Sequence, residues 1–472
     1  MRKIVISVLA IGCSIRLIGQ PVLTLEEAVT AALANNPDIE IERIDAKTAH
    51  NNVHRGNAGQ LPTVDVQGSY DYNHYLEQRT ELGDFALPGT GGVSDDPDNP
   101  GAEEPSTTSG LGGSNISAQM AGASLTASYV LFNGFRGRYR YQQLQTQDSL
   151  ARHQLKATME DVFVQVLNAY LEVAQYQSQL SVYEEAIALS QARLERNRIA
   201  NEYGGANQLQ TLQAEVDLNN DSVAYQDNQL AYQQAQQQLA LLIEWPANRE
   251  FRVEEDIAML DEPLEYEALQ TSLRRTNTNL QIAEYNLQIL EKNQALEDAA
   301  RFPTLSAIAG FNYNYQTAEQ SITELQESYG PVVGLRLNYS LYDGGQRKIR
   351  RQNAQLAVEQ QEAQWDRTQR QLTTELLSSY QNYENYRRQL ATEQRNLNTY
   401  ERNLQKSESN YELGLTSGTE LRDAQLNLTN ARQRIIALTY QVKRAETQLV
   451  RLSGGLTFTS NESLNPTNDE NN

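Results

Sequence analysis

Apolar and polar residues alternate along four short segments of the chain, and this alternation predicts four β-strands. The segments are residues 62–75, 119–132, 303–316 and 331–342. Successive side chains of a strand point to opposite faces, so each segment has one apolar and one polar face. Tyrosines gather near the segment ends, as in strands that cross an outer membrane. A water-soluble antiparallel sheet with one wet face would show the same alternation.

Two long stretches without proline, residues 134–203 and 344–413, predict helices of a different period. A helix of 70 residues would be roughly 105 Å long. In the second stretch apolar residues recur every seven positions, which is typical of a coiled coil. These residues are Leu376, Tyr383, Leu390, Leu397, Leu404 and Tyr411.

Each long helix is followed by a predicted return helix, at residues 207–243 and 419–452. Glycines stand where the chain turns back, at Gly204-Gly205 and at Gly414. Glycine accepts the left-handed conformation that ends many helices. The sequence therefore predicts two long antiparallel helical hairpins.

The two halves of the chain are a tandem duplication. Residues 121–243 match residues 331–453 at a constant offset of 210, and the preceding segments match at an offset of 241. The change of offset places 31 extra residues between His74 and Gly122. Glycine, proline, aspartate and serine accumulate there, which indicates an exposed loop. Each half is predicted to contain a helix, two strands, a long helix and a return helix.

These patterns divide the chain into five segments. Residues 1–20 are predicted to be a signal peptide, 21–243 the first repeat and 244–263 a linker. Residues 264–453 form the second repeat, and 454–472 form a polar tail.

The N-terminus has the order of charge and hydrophobicity expected of a secretory signal. Met1-Arg2-Lys3 precedes the apolar run Ile4–Ile11, and cleavage is expected near Gly19 or Gln20. Cys13 is the only cysteine, and its lipidation is an open alternative.

Composition narrows the function classes. Only 39% of residues are hydrophobic, 25 are tyrosine, and the formal net charge is −21. An acidic chain is unsuited to binding nucleic acid, which needs clustered Lys and Arg. His50 and His54 are one helical turn apart but lack the acidic residue of a zinc protease motif between them. The sequence predicts no enzyme activity, no metal and no cofactor.

Several motifs, repeated in order in both halves, together resemble the TolC-like outer membrane efflux protein family over about residues 23–455. They are LTLEEAVTAALANNPDI, LPTVDVQGSYDY, FPTLSAIAGFNYNY, LFNG, LYDGG and NYELGLTSGTELRDAQLNL.

The resemblance implies a mixed α and β fold assembled as a homotrimer. Each chain would give four strands to one shared outer-membrane β-barrel, continuous with a long periplasmic α-helical coiled-coil barrel. The linker and the tail would belong to an equatorial region around it.

The resemblance also implies a function. The trimer would be the exit duct of a tripartite efflux or type I secretion system. It would passively conduct drugs, small molecules or proteins from an inner-membrane pump of RND or ABC type. A periplasmic adaptor (membrane fusion) protein would join pump and duct. The alternative is an exported coiled-coil scaffold protein without channel activity.

The resemblance places an acidic pair on Glu420 and Asp423, at the closed end of the tunnel. Three chains would bring six carboxylates around one pore, and such a ring attracts cations. The corresponding first-half residues are Gln210 and Gln213, so one acidic pair per chain is expected. The alternative is an ordinary solvated helix surface.

The helical tips are the expected docking place of the adaptor, although the same residues could simply form turns. They are Tyr203, Gly204, Gly205, Tyr411, Gly414 and Leu415. Tyr411 matches a family tyrosine that can hydrogen-bond to the other hairpin. Thr416 and Gln210 depart from the family pattern of gate residues, so the two hairpins must be joined differently here.

Six further residues mark the expected transitions between barrel and tunnel. Asparagine or aspartate there can cap a helix, and proline ends one. The residues are Pro62, Asn133, Gly134, Pro303, Asp343 and Gly344.

Overall fold

The computed structural model describes five stretches of the chain. They are residues 22–78, 114–203, 207–255, 263–318 and 325–456. The predicted signal peptide, the core of the first loop, Gly204-Gly205 and most of the tail lie outside these described residues.

The elements follow in chain order. The helices are α1 (Leu25–Asn35), α2 (Pro37–Asn52), α3 (Arg136–Glu202), α4 (Gln208–Leu242), α5 (Tyr266–Thr276), α6 (Thr278–Ala299), α7 (Gln346–Glu412) and α8 (Gly418–Leu452). The strands are β1 (Val22–Leu23), β2 (Thr63–Gln78), β3 (Ser114–Phe132), β4 (Arg252–Val253), β5 (Thr304–Ala318) and β6 (Leu325–Asn338).

The chain divides into two compact units. One is mainly helical and comprises residues 1–52, 143–291 and 355–472. The other contains the four long strands and comprises residues 53–142 and 292–354.

In the helical unit, the apolar heptad of α7 packs against α8. Leu376, Tyr383 and Leu390 are buried in one cluster together with Val442 and Leu449 of α8. The packing follows the seven-residue repeat, because residues spaced in this way stay on one face of a coiled helix.

The single helix expected before the strands of each half is wrong, because the chain forms two helices there. Asn36 leaves the helical conformation between α1 and α2, and its side chain accepts the N–H of Asp38 at 2.9 Å. Asn277 accepts the N–H of Leu280 at 3.0 Å between α5 and α6. In the first half Pro37 also lacks the N–H that would continue α1.

The linker is anchored by a two-stranded parallel sheet of β1 and β4. The Tyr170 hydroxyl of α3 donates to the carbonyl of Leu23 at 2.9 Å and accepts the N–H of Glu254 at 3.0 Å. Gln177 exchanges two bonds of 3.0 Å with the backbone of Val253. Burial raises the pKa of Tyr170 to about 12, so its phenol stays neutral and available for both bonds.

The second unit contains one antiparallel sheet in the order β2-β3-β5-β6. β3 begins five residues earlier than predicted, at Ser114, and β6 occupies 325–338 rather than 331–342. Pro331 lies inside β6, which is an edge strand of the sheet. An edge strand tolerates proline because the missing N–H can face outward.

The register of the sheet brings the four apolar faces together. Val64 is level with Ala127, Ala127 with Ala309, and Ala309 with Val333. Residues that pair across neighbouring strands share a face, so one side of the sheet is apolar from edge to edge. This coherence depends on pairing and could not be read from any single strand.

The turn before each long helix uses two successive residues in the left-handed conformation. They are Gly134 and Phe135 in the first half and Gly344 and Gly345 in the second, with φ between 67° and 83°. A Cβ on Gly134 would lie 2.6 Å from the carbonyl oxygen of Ala299, so the position requires glycine. Phe135 is strained, because a side chain in this conformation costs about 1–2 kcal/mol.

We expect Phe135→Gly to be better tolerated than Phe135→Ala by about 1 kcal/mol. Both variants remove the edge-to-face contact with Phe132, whose ring centroid lies 5.8 Å away. Only glycine relieves the backbone strain. Thermal unfolding of the two variants in detergent measures the difference, and the reverse order would contradict the strain.

Among the described residues, no helix combines the length and the apolar character needed to cross a membrane.

Candidate functional site at the helical tips

The second hairpin tip is built by a glycine and a helix cap. Gly414 has φ 72°, and the N–H of Leu415 donates to the carbonyl of Asn410 at 2.8 Å, which closes the end of α7. Ser417 then begins α8, and its hydroxyl accepts the N–H of Glu420 at 3.2 Å. In the described part of the first tip, Asn207 provides the corresponding cap and begins α4.

Glu420 has a structural role that the sequence analysis missed. Its carboxylate accepts the N–H of Ser417 at 3.1 Å, which completes a capping box. Gln210 makes the corresponding bond to Asn207 at 3.2 Å in the first half. The pattern serine, two residues, then glutamate could have revealed the cap.

Asp423 lies one turn further along α8 and is exposed. Within the described residues its side chain makes no hydrogen bond or ion pair. The two predicted gate carboxylates therefore differ, since one is committed to a helix cap and the other is free.

The tip residues predicted to dock an adaptor are mostly exposed. Tyr203 is 85% exposed, and Leu415 is 73% exposed. Tyr411 is instead partly buried, and its hydroxyl donates to the side-chain oxygen of Asn197 at 2.5 Å. This bond crosses from α7 to α3, between the two hairpins. Gly204 and Gly205 lie outside the described residues.

A buried charge cluster joins the hairpins next to this bond, and sequence reasoning missed it. Arg422 of α8 makes two bonds to the carboxylate of Asp221 on α4, at 2.7 and 2.8 Å. It also lies 3.8 Å from Asp217, which pairs with Arg193 of α3. Ser190 donates to Asp221. Two arginines thus balance two aspartates.

The two arginines of the cluster respond differently to their surroundings. Burial lowers the pKa of Arg193, and the charge of Asp217 offsets this only in part. Burial also acts on Arg422, but the hydrogen bonds and charge of Asp221 outweigh it and raise its pKa. The better-paired arginine is therefore Arg422.

The cluster borders a cleft of about 300 Å³ between the tips. Among the described residues, no group of three or more histidine, cysteine, aspartate or glutamate side chains is arranged to hold a metal ion. The lining residues include Arg193, Asn197, Gln210, Asp217, Tyr411, Thr419 and Arg422.

The predicted transition residues lie in the sheet-containing unit, at the ends of its strands. Pro62 and Pro303 directly precede β2 and β5. Asp343 caps α7, since its carboxylate accepts the N–H of Arg347 at 2.9 Å. The backbone carbonyls of Asn133 and Asp343 both accept the N–H of the residue three positions on, at 3.4 Å. Asn133 differs because, among the described residues, its side chain adds no cap of this kind.

The chain belongs to the outer membrane efflux protein family. The family model matches residues 28–243 and 269–455, which are the two repeats. The predicted resemblance and the duplication are thereby confirmed. Members of this family are outer membrane efflux channels of tripartite pumps, not enzymes, and this is the class of protein that the chain represents.

Solved structures share the fold. The outer membrane protein VceC from Vibrio cholerae is 14% identical, with a TM-score of 0.69 over 91% of this chain and 96% of that chain. The CmeC outer membrane channel from Campylobacter jejuni is 15% identical, with a TM-score of 0.70 over 93% of this chain and 87% of that chain. The open state of the MtrE outer membrane channel from Neisseria gonorrhoeae is 15% identical, with 0.65 over 91% and 88%. No curated protein sequence matches the chain.

Proposed function

We propose that three copies of the chain form the exit duct of a tripartite efflux or type I secretion system. The sheets of the copies close into one barrel in the bacterial outer membrane, and the helices extend into the periplasm. The duct conducts its cargo passively, and a periplasmic adaptor connects it to an inner-membrane pump of RND or ABC type.

The observation that carries this proposal is the apolar face of the four-stranded sheet, which is bare in the single chain. Val66, Val333 and Leu335 are 81%, 84% and 72% exposed. A water-soluble chain does not leave such a large patch uncovered, because exposed apolar area is unfavourable in water. Hydrocarbon is the environment that covers it without a protein partner.

The distribution of residues along the strands fits the thickness of a membrane. On β5 the apolar face runs from Leu305 through Phe311 to Tyr313 and Tyr315. Leu305 to Tyr315 is eleven residues, which is the length that a tilted strand needs to cross the hydrocarbon core. Tyr70 of β2 lies in the same register row as Tyr315, as expected of an aromatic girdle.

The polar face of the sheet suits an aqueous lumen. Thr126 of β3 is level with Gly310 of β5, and Ser124 is level with Asn312. A Cβ on Gly310 would lie 2.6 Å from the carbonyl oxygen of Leu125, so this face is closely packed at the backbone. Small polar residues fit the inner side of a closed sheet.

The open edges of the sheet allow further copies to join. Neighbouring strands are antiparallel throughout, and β2 and β6 lie at the two edges. With four strands per copy, β6 of one copy can pair antiparallel with β2 of the next. Closure would pair the open backbone groups of both edges, which hydrocarbon cannot do. Pro331 of β6 is the exception, because it has no N–H to pair.

Purification from the outer membrane and reconstitution in a planar bilayer tests the exit duct. We expect detergent-solubilised protein with the mass of a trimer and discrete conductance steps. Folded trimers that never conduct would overturn the duct and favour the scaffold.

For the gate, we propose that Asp423 supplies the pore charge at the constriction, with Glu420 contributing in addition to its cap. Asp423 is exposed and has no partner among the described residues, so three copies can present it to a common axis. Carboxylates gathered in this way attract cations and bind divalent ions.

We expect Asp423→Asn to lower the preference for cations and the block by divalent ions. Glu420→Gln is the matched variant, since Gln210 shows that glutamine preserves the capping box. It removes the charge and keeps the helix start, whereas Glu420→Ala removes both. Reversal potentials in a salt gradient measure the selectivity. An unchanged reversal potential in both Asp423→Asn and Glu420→Gln would show that these carboxylates do not line the constriction.

The exposed tips are the surface that we propose for the adaptor. Leu413 and Leu415 are both 73% exposed, and they lie beside Gly414 at the end of α7. A photo-crosslinker at Leu415 should capture a periplasmic helical protein in cells. One at the exposed Glu401, two heptads or about four helical turns further from the tip, should capture less of it. Equal capture at both positions would argue against docking at the tip.

A further inference from the structure

Two polar contacts join the hairpin tips within one chain. The Arg196 guanidinium lies 3.3 Å from the carboxylate of Glu412. The Tyr411 hydroxyl donates to the side chain of Asn197 at 2.5 Å. Arg196 and Asn197 belong to α3, and Tyr411 and Glu412 belong to α7. The second hairpin therefore packs on the first in a defined register.

The duplication indicates where a second ion pair of the same kind could form. At the offset of 210, Arg196 corresponds to Lys406 and Glu412 corresponds to Glu202. The exchange preserves the charges, since a base again stands on the long helix of one hairpin and an acid on that of the other. Glu202 and Lys406 are exposed. Among the described residues, neither side chain makes a hydrogen bond or an ion pair.

The hydrogen bond between Tyr411 and Asn197 also has an equivalent pair of residues. Asn197 corresponds to Ser407, and Tyr411 corresponds to Asn201. Serine and asparagine can form a hydrogen bond. Within the described residues neither side chain has a partner, so this second pair is also left open in the single chain.

Exposed apolar residues of α4 occupy the positions that correspond to contact residues of α8. Leu212 and Leu230 are 52% and 55% exposed. Their counterparts on α8 are Arg422 and Tyr440, which touch α3 of the same chain through hydrogen bonds to serine side chains. The face of α4 that should meet a neighbouring hairpin is thus apolar and uncovered.

We propose that the first hairpin of one copy packs against α7 of the next copy in the register that pairs Glu202 with the partner's Lys406 and Asn201 with the partner's Ser407. This inference rests on the proposed trimeric duct and specifies how its copies meet. Hairpins then alternate around the ring, and each contact between copies repeats the contact within a copy.

The two kinds of contact differ in chemistry. The contact within a chain contains the buried Arg422–Asp221 pair. The corresponding positions are Leu212, which is 52% exposed, and Ala431, which is already buried within its own chain. An exposed ion pair contributes little to stability. Glu202 and Lys406 therefore define the register, while apolar burial on α4 supplies the affinity.

Thiol crosslinking tests the register in a chain whose Cys13 is replaced by serine. The pairs E202C/K406C and N201C/S407C should give inter-chain dimers and trimers on a denaturing gel. R196C/E412C is the positive control, because it should link within one chain, and the shortest crosslinker that joins it is used for all pairs. E202C/T399C is the matched control for register, since Thr399 lies seven residues from Lys406, or about 10.5 Å along α7.

Charge exchange provides a second measurement. We expect E202K to reduce the inter-chain yield of the reporter pair N201C/S407C, and E202K/K406E to restore it. Conducting trimers that give no inter-chain product from either predicted pair, or product only from E202C/T399C, would overturn the register and leave the duct intact. Chains that do not associate at all would overturn both.

Discussion

Replacing Arg422 with alanine is expected to destabilise the helical unit by about 3–5 kcal/mol. Arg422 is only 12% exposed, and its guanidinium makes two bonds to Asp221. Without it, Asp221 and Asp217 would remain at the junction of the hairpins with only Arg193 to balance them. A buried charge without its partner is strongly unfavourable, because the solvation it lost on folding is no longer replaced.

The control is Arg434→Ala on the same helix. Arg434 is 55% exposed and lies 3.7 Å from Glu393, so its loss should cost less than about 1 kcal/mol. A double variant, R422M/D221L, removes both partners of the pair and should recover much of the stability. The measurement is the midpoint of thermal unfolding in detergent. Equal midpoints for Arg422→Ala and Arg434→Ala would show that the cluster does not hold the tips together.

Val333→Arg is expected to abolish most of the outer membrane form of the protein. Val333 lies in the middle of the apolar face and is 84% exposed. An arginine that faces lipid at mid-depth costs about 2–4 kcal/mol, and the proposed trimer would contain the substitution three times. We expect this total cost to exceed what the assembly of the trimer can offset.

The matched control is Asn312→Arg on β5. Asn312 lies on the polar face of the same sheet, level with Ser124 and Gly330. A charge there would point into the proposed aqueous lumen. Membrane fractionation and the yield of trimer distinguish the two variants. Similar yields from both would mean that the apolar face does not meet lipid.

Periodicity alone was enough to predict the kinds of element in this chain. The heptad from Leu376 to Tyr411 predicted a coiled coil, and the alternation around Val64 and Val333 predicted strands. These patterns are local, because each depends on how side chains are distributed around one helix or strand. The capping box of Ser417 and Glu420 is equally local and could have been predicted.

The division into two helices before the strands of each half was missed for a different reason. Asn36 and Asn277 end a helix by accepting backbone N–H groups from the next one. An asparagine inside a helical pattern is a weak signal, since it is also tolerated on a solvated face. Packing around the turn decides whether the helix continues through the asparagine or ends there.

The charge cluster required the tertiary structure. Arg422 and Asp221 are 201 residues apart, and no spacing rule connects positions so distant. The pairing also breaks the duplication, because the counterparts of these residues are Leu212 and Ala431. Because these counterparts are apolar, a comparison of the repeats would predict an apolar contact between the two hairpins of a chain. The structure instead has a buried ion pair there.

Residue order determined the repeats, the helices, the strands and the two tips, because these follow from periodicity and from glycine, proline and capping residues close by in the chain. Three-dimensional packing decided which faces coincide and which side chains meet. The apolar side of the sheet exists only because four separate strands pair in matching register. The junction of the hairpins exists only because folding brings distant arginines and aspartates together away from water.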